Sequence, residues 1–290
     1  MIKRIRVNTD KIITDKYLLV VSDIHKTKDL DKDNLSLFNK QLKRIKYPID
    51  YILIVGDIIN DTEDLLDIDF QNRFRKEMIE FLKDYKTIIS LGNHDEATKV
   101  EKNNIFKNKA KQGDFTILKE ILTSIDNVSL LDNNSIYQDE SICFASFNPN
   151  LNYYIKYYGE KSEFLRQFLK DYTDKFNKNM FNILLCHDPE SIIKLSELEG
   201  KCIQPNTDIV VSGHMHNGFL PPMLNFIVKN RGIISPTKSY FPKYAHGEVD
   251  IDNTKFIING AINSRVENKI INYLYGPNAT MIELKKVIKR

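Results

Sequence analysis

Residues 51–57 read Tyr-Ile-Leu-Ile-Val-Gly-Asp. An unbroken apolar run of this length, rich in β-branched residues, is the pattern of a short strand buried on both faces. The Gly56-Asp57 that follows sets a turn and a carboxylate at its C-terminal end. The same layout recurs on either side. Tyr17–Ser22 (YLLVVS) runs into Asp23 and His25, and Thr87–Leu91 (TIISL) runs into Gly92–Asp95. Asn182–Cys186 (NILLC) runs into His187, and Asp208–Ser212 (DIVVS) into Gly213–His216. Between the runs lie segments of helical period, with Leu35, Leu42 and Ile45 in Asp33–Lys46 and Phe74, Met78, Phe81 and Leu82 in Asp69–Tyr85. Glu160–Asp174 repeats the pattern through Phe164, Leu165, Phe168, Leu169 and Tyr172. Strands alternating with helices, with polar residues gathered at strand ends, predict a layered α/β fold whose site lies at those ends.

After His216 the texture changes. Phe226–Val228, His246–Ile251, Lys255–Asn259 and Thr280–Leu284 are short and β-like, with turns at Arg231-Gly232, Asp252-Asn253 and Gly276-Pro277. They predict antiparallel strands that form a second sheet with Ile2–Val7. No repeat or Pro/Gly/Ser-rich linker divides the chain, and its 28 Asn form no low-complexity tract. One domain spanning residues 1–290 is expected.

At 42% hydrophobic and 28% charged, the 290 residues have the composition of a globular protein with a core, which excludes disorder, collagen and coiled coil. A net charge of +3 makes nucleic acid an unlikely partner. Three cysteines, Cys143, Cys186 and Cys202, make no short metal-binding spacing and are expected as buried thiols in a reducing, cytoplasmic setting. Met1–Asp23 lacks the apolar run and cleavage site of a secretory signal, and no transmembrane segment is expected; peripheral membrane contact stays open.

The strand ends deliver Asp23-x-His25, Asp57, Asn93-His94-Asp95, His187 and His214-x-His216, which hold five of the six histidines in the chain. Gathering so many ionisable groups is costly unless they bind a metal or one another. A His, Asp and Asn set is borderline-hard and suits Mn, Fe, Zn, Co or Ni, with manganese favoured. In Asp23-x-His25 and His214-x-His216 both members of the pair project to one side of an extended chain. Two metals close together need a shared carboxylate, for which Asp57 is the natural candidate. Gly56, Gly92 and Gly213 precede the ligands, where a missing Cβ permits a sharp turn or close approach of backbone to phosphate.

This series, Asp-x-His, Gly-Asp, Gly-Asn-His-Asp, His and Gly-His-x-His, resembles the calcineurin-like metallophosphoesterases, motif for motif and in order. The resemblance implies a four-layer αββα sandwich with mixed sheets and two divalent metal ions at the strand ends. It implies a first metal held by Asp23, His25, Asp57 and His216, and a second by Asp57, Asn93, His187 and His214. His94 would assist the leaving oxygen, with Asp95 as its orienting partner. The chemistry expected is attack on phosphorus by hydroxide formed between the metals.

A narrower resemblance joins Leu184-x-x-His187-Asp188-Pro189-Glu190, Asp208–His214, Phe241–Tyr244, Asn253-Thr254 and Gly276–Leu284. These segments are similar to a bacterial branch that includes UDP-2,3-diacylglucosamine pyrophosphohydrolases and cell-wall or membrane-associated phosphoesterases. The branch implies a phosphodiester or pyrophosphate substrate, nucleotide- or lipid-linked. Asn217–Pro222 departs from that branch's small, Gly-rich stretch. The alternatives are a nuclease of the same fold, which needs a basic groove, and a non-catalytic scaffold, which would have lost ligands that this chain retains. Three weaker features complete the reading. His246 is a candidate substrate contact, the tyrosine-rich Asn148–Tyr158 a helix packed on the core, and the basic Lys99–Lys111 a solvated loop. Sequence does not rank Arg166, Arg231 and Lys238.

Overall fold

The computed structural model describes residues 2–29, 34–99, 110–133, 135–149, 154, 176–199, 206–220, 228–236, 240–251, 254–264, 272 and 275–288. The expected helix at Glu160–Asp174, Arg166, Lys238, Cys202, most of 99–111 and most of 148–158 lie outside them.

In chain order the elements are strands β1 (Ile2–Thr9) and β2 (Lys16–Val21), helix α1 (Asn34–Leu42), β3 (Tyr51–Val55), α2 (Ile68–Leu82) and β4 (Thr87–Ser90). The short β5 (Ala97–Lys99) and β6 (Ala110–Gln112) pair with each other before α3 (Thr116–Thr123), β7 (Val128–Leu131), β8 (Ile136–Asp139) and β9 (Ile142–Phe147). Then come β10 (Phe181–Cys186), helix α4 (Pro189–Glu199), β11 (Ile209–Ser212), β12 (Gly247–Ile251), β13 (Thr254–Ile258) and β14 (Ala279–Lys286). Two six-stranded sheets result, ordered β1-β14-β2-β3-β4-β7 and β12-β13-β11-β10-β9-β8.

The five apolar runs are strands, and their lack of alternation follows from the packing. Leu18, Val20, Leu53 and Val55 face the second sheet, where they meet Phe144, Ile183, Leu185 and Val211. The intervening Leu19, Val21, Ile52 and Ile54 face α1, α2 and α3 through Leu35, Phe38, Phe74, Met78 and Ile121. On the far side of the second sheet, Leu184, Cys186 and Val210 pack against Ile192 and Ile193 of α4. Helices, sheet, sheet and helix make the four layers that the resemblance implies. Asp67 caps α2 by accepting from Phe70 N at 3.0 Å, and its buried Phe70, Phe74, Met78, Phe81 and Leu82 hold the helical period. Among the described residues, no helix is long and apolar enough to cross a membrane.

The C-terminal strands correct one expectation. They do not form a separate sheet with the N-terminus but divide between the two sheets. β12 and β13 are an antiparallel hairpin, and β13 joins β11 in parallel. β14 inserts between β1, which it pairs in parallel, and β2, which it pairs antiparallel. Its Glu283 is buried at this central position because Arg4 and Arg6 of β1 meet the carboxylate. A buried charge needs such a partner.

Candidate metal centre

The ends of β2, β3 and β4 are strapped together by their backbones. Asp23 N donates to Gly56 O at 3.1 Å, His25 N to Asp57 O at 2.9 Å, and Gly56 N to Ser90 O at 2.8 Å. In the second sheet, Gly213 N donates to His187 O at 3.0 Å. The strap forces the polar residues into the left-handed region. Asp23, His25, Asp57, His214 and His216 have φ of 53°, 46°, 54°, 64° and 45°. Each costs about 1–2 kcal/mol in an L-residue, and such strain persists where the surrounding structure over-determines it.

The side chains converge. Asp57 Oδ2 lies 3.0 Å from His187 Nε2 and 3.7 Å from His25 Nε2. Asp23 Oδ1 lies 3.4 Å from His216 Nε2, 3.8 Å from His25 Nε2 and 4.0 Å from His187 Nε2. His25 and His216 face each other across 3.3 Å through their Nε2 atoms. Three overlapping groups, Asp23/His25/His216, His25/Asp57/His94 and Asp57/His187/His214, each bring one ligand atom per residue within 4.8 Å of the others. Asp57 occurs in two of them.

Burial sets the protonation states. It pushes His25 well below its ordinary value, His216 down as well, and His214 to about 3, assisted for His214 by the charge on His187. All three are therefore neutral imidazoles, the form that donates a lone pair. Burial also opposes the charge on His187, but Asp57 outweighs it and raises that group to about 10. In return His187, with His94 and His25, overcomes the burial of Asp57 and holds its carboxyl well below the usual range.

Among the described residues, Asn93 Oδ1 and His214 Nε2 are buried without a hydrogen-bond partner, and Asp57 Oδ2 has His187 Nε2 opposite it at 3.0 Å. One such atom costs about 1–3 kcal/mol. Unsatisfied buried acceptors beside a cluster of carboxylates and neutral imidazoles fit a cation rather than a packing role, so the residues present suit a pair of divalent ions.

The other sequence candidates take specific places. His94 N donates to Asp57 Oδ1 at 2.8 Å, and its ring stands edge-on to His25 at 4.8 Å between centroids. Its Nδ1 lies 2.9 Å from Asn60 O. Asp95 is not the partner of that ring. Its carboxylate accepts from Ile58 N at 2.7 Å, Ile59 N at 3.0 Å and Gly92 N at 2.8 Å, which ties the β3 and β4 loops together. Burial, and then the charge on Asp57, raise it to about 7. His246 is buried away from the cluster's short contacts, with Nε2 3.2 Å from Arg231 O. Of the tyrosine-rich segment, Tyr154 stacks obliquely on His214 at 5.5 Å.

The glycines serve the ligands. A Cβ on Gly92 would overlap Asp57 Oδ1 and sit 2.9 Å from His187 Cδ2, and one on Gly213 would sit 2.7 Å from Asp23 Oδ2. We expect Gly92→Ala to displace Asp57 and weaken metal binding by at least tenfold. Calorimetric titration with Mn²⁺ checks this, and unchanged affinity would show that the loop yields without cost.

Sequence reasoning missed the residues behind the first ligands. Asn263 N donates to Asp23 O at 3.0 Å and Asn263 Nδ2 to Ile24 O at 2.6 Å, while its Oδ1 receives Asn34 N and Asn272 Nδ2. This buried amide fixes the strained Asp23–His25 turn from behind. No spacing marks it, because apart from Asn272 its partners are backbone atoms more than 200 residues away.

The sequence model of the calcineurin-like phosphoesterases matches residues 17–218. The chain belongs to that family. Asn263 and β14 lie beyond the matched region, so this phosphoesterase completes its site with residues the family pattern does not describe. A search of curated proteins finds no match. Among solved structures, a 5′-nucleotidase precursor from Thermus thermophilus is similar at 12% identity and a TM-score of 0.46, covering 94% of this chain and 54% of that one. A dimetal phosphatase from Danio rerio is similar at 11% identity and 0.42, covering 85% and 88%. A purple acid phosphatase from yellow lupin is similar at 13% identity and 0.39, covering 96% and 55%.

Proposed function

We propose that this phosphoesterase hydrolyses a phosphodiester or pyrophosphate bond with two divalent ions, manganese favoured. Asp23, His25, Asp57 and His216 would hold one ion, and Asp57, Asn93, His187 and His214 the other. The observation that carries the reading is the convergence of ligand atoms in three overlapping groups, Asp23/His25/His216, His25/Asp57/His94 and Asp57/His187/His214. When bound, such ions clamp the charge that grows on phosphoryl oxygens and acidify a water. The chain's own residues orient the reaction. His94 turns Nδ1 to the Asn60 carbonyl, which fixes that nitrogen as the donor and leaves Nε2 to serve the leaving oxygen. Asp95 holds the two loops in register through its three backbone bonds.

The preference for a diester or pyrophosphate rests on the resemblance of the C-terminal motifs to the bacterial branch, as does a nucleotide- or lipid-linked substrate. We read residues 1–290 as one phosphoesterase domain, since β1 and β14 build the same sheet as the ligand-bearing strands. A reducing, cytoplasmic setting is in keeping with the buried free thiols of Cys143 and Cys186. The test is hydrolysis of bis-p-nitrophenyl phosphate and p-nitrophenyl phosphate with Mn²⁺ and with chelator. We expect turnover that chelation abolishes and that favours the diester. Preference for the monoester would overturn the substrate reading, and no turnover with any divalent ion the activity itself.

A further inference from the structure

Beside the metal centre lies a cavity of about 530 Å³ that the proposed chemistry does not use. Its position follows from the sheet order. Asp23 ends β2, and the next strands outward are β14 and β1; His214 and His216 follow β11, and the next outward are β13 and β12. The cavity is lined from those outer strands by Lys3, Thr280, Ile258 and Gly247, and from the ligand loop by Asn217, directly after His216. Lys3 pairs in register with Thr280, at the end of β14 that lies against the C-terminal end of β2. The cavity and the ligands therefore share one end of the sandwich. Across the sheet, β14 and β1 stand one and two strand spacings from β2, about 5 and 10 Å.

Its lining is cationic. Lys3 and Lys229 both face it, and neither has an ion-pair partner among the described residues. The acidic residue in the wall, Glu248, lies 3.5 Å from Lys255 Nζ. Gly247, at φ +87°, keeps the space open. A Cβ there would sit 2.9 Å from Asn230 Oδ1 and 3.2 Å from Lys3 Nζ, so the ammonium reaches inward over the glycine. His246 closes the wall, its Nε2 turned to Arg231 O.

We infer that this cavity is a second anion subsite, which binds a negatively charged group on the substrate about one sugar ring from the scissile phosphorus. Resting on the reading of the chain as a phosphodiester hydrolase, it narrows the substrate to diesters that carry a further phosphate or carboxylate. Lys3, whose ammonium lies over Gly247, and Lys229, which lines the same cavity, would bind such a group through charge-assisted hydrogen bonds.

The test compares thymidine 5′-(p-nitrophenyl phosphate) with its 3′-phosphorylated form, using the Mn²⁺-loaded protein and the Lys3→Ala/Lys229→Ala double variant. The 3′-phosphate is expected to lower KM about tenfold, the factor that 1.4 kcal/mol gives. In the double variant the two compounds should share one KM, while bis-p-nitrophenyl phosphate is turned over unchanged. The Lys3→Arg/Lys229→Arg variant should keep the advantage. Equal KM values in the unaltered protein, or an advantage that survives the alanines, would overturn the subsite. If the unaltered protein cleaves none of the esters, the hydrolytic reading fails, and calorimetry decides the subsite independently. Thymidine 3′,5′-bisphosphate should then bind about tenfold tighter than thymidine 5′-phosphate, and only when both lysines are present. Equal affinities would overturn it.

Discussion

Replacing Asp57 by Asn is expected to strip both ions from the protein together and to lower turnover by about 10³-fold or more. The expectation comes from where the two carboxylate oxygens go. Oδ1 is occupied by His94 N at 2.8 Å, so only Oδ2 is available to the cluster, and it lies between His187 at 3.0 Å and His25 at 3.7 Å. Those two histidines belong to different proposed ion sites. Asn at this position has the right shape but loses the charge that holds both sites, and a neutral amide oxygen is a poor bridge. Elemental analysis of dialysed protein provides the check, with metal content falling from two per chain towards none. Retention of one ion would transfer the bridging role to Asp23, whose Oδ1 also lies within 4.0 Å of His187 and 3.4 Å of His216.

His94→Ala is expected to behave in the opposite way, with kcat reduced about 10²–10⁴-fold and both ions retained. Metal content survives because His94 supports Asp57 through its backbone N–H, which alanine keeps. What is lost is an imidazole held by the Asn60 carbonyl so that Nε2 serves the leaving group. A nitrophenolate leaves without a proton, so the loss should be smaller on p-nitrophenyl esters than on alkyl esters of the same acid. Equal losses on both would refute proton donation to the leaving oxygen, and loss of metal would make His94 a ligand.

Much of the site was legible because of how the fold exposes it. Strands buried on both faces read as unbroken apolar runs, and a short polar tip at the end of each has little to do but serve a site. Asp23, His25, Asp57, Asn93, His187, His214 and His216 therefore stand out in order as candidates, and all but Asn93 fall in the convergent groups of ligand atoms. What could not be read were relations between distant segments. The carbonyl of Asn60 holds His94, and any residue can present a carbonyl. Asp95 sits next to the histidine it was expected to orient, yet the β3 and β4 loops turn its carboxylate towards three amides instead. The burial of Glu283 could not be read either, because its neutralising arginines lie on β1, far away in the chain. The glycines suggest a sharp turn or an approach of backbone to phosphate, and sequence does not show that Gly92 and Gly213 also make room for Asp57, His187 and Asp23.

The placement of β14 has a consequence for how the protein is made. β1 leaves the ribosome long before β14, the strand it pairs with. Until β14 emerges, β2 lacks its outer neighbour, and the Asn259–Asn263 segment that props the Asp23 turn has not been tied down by the strand that follows it. Contacts this distant in sequence form late. A nascent chain in which β14 has not yet joined the sheet therefore carries every candidate ligand without a place to assemble them.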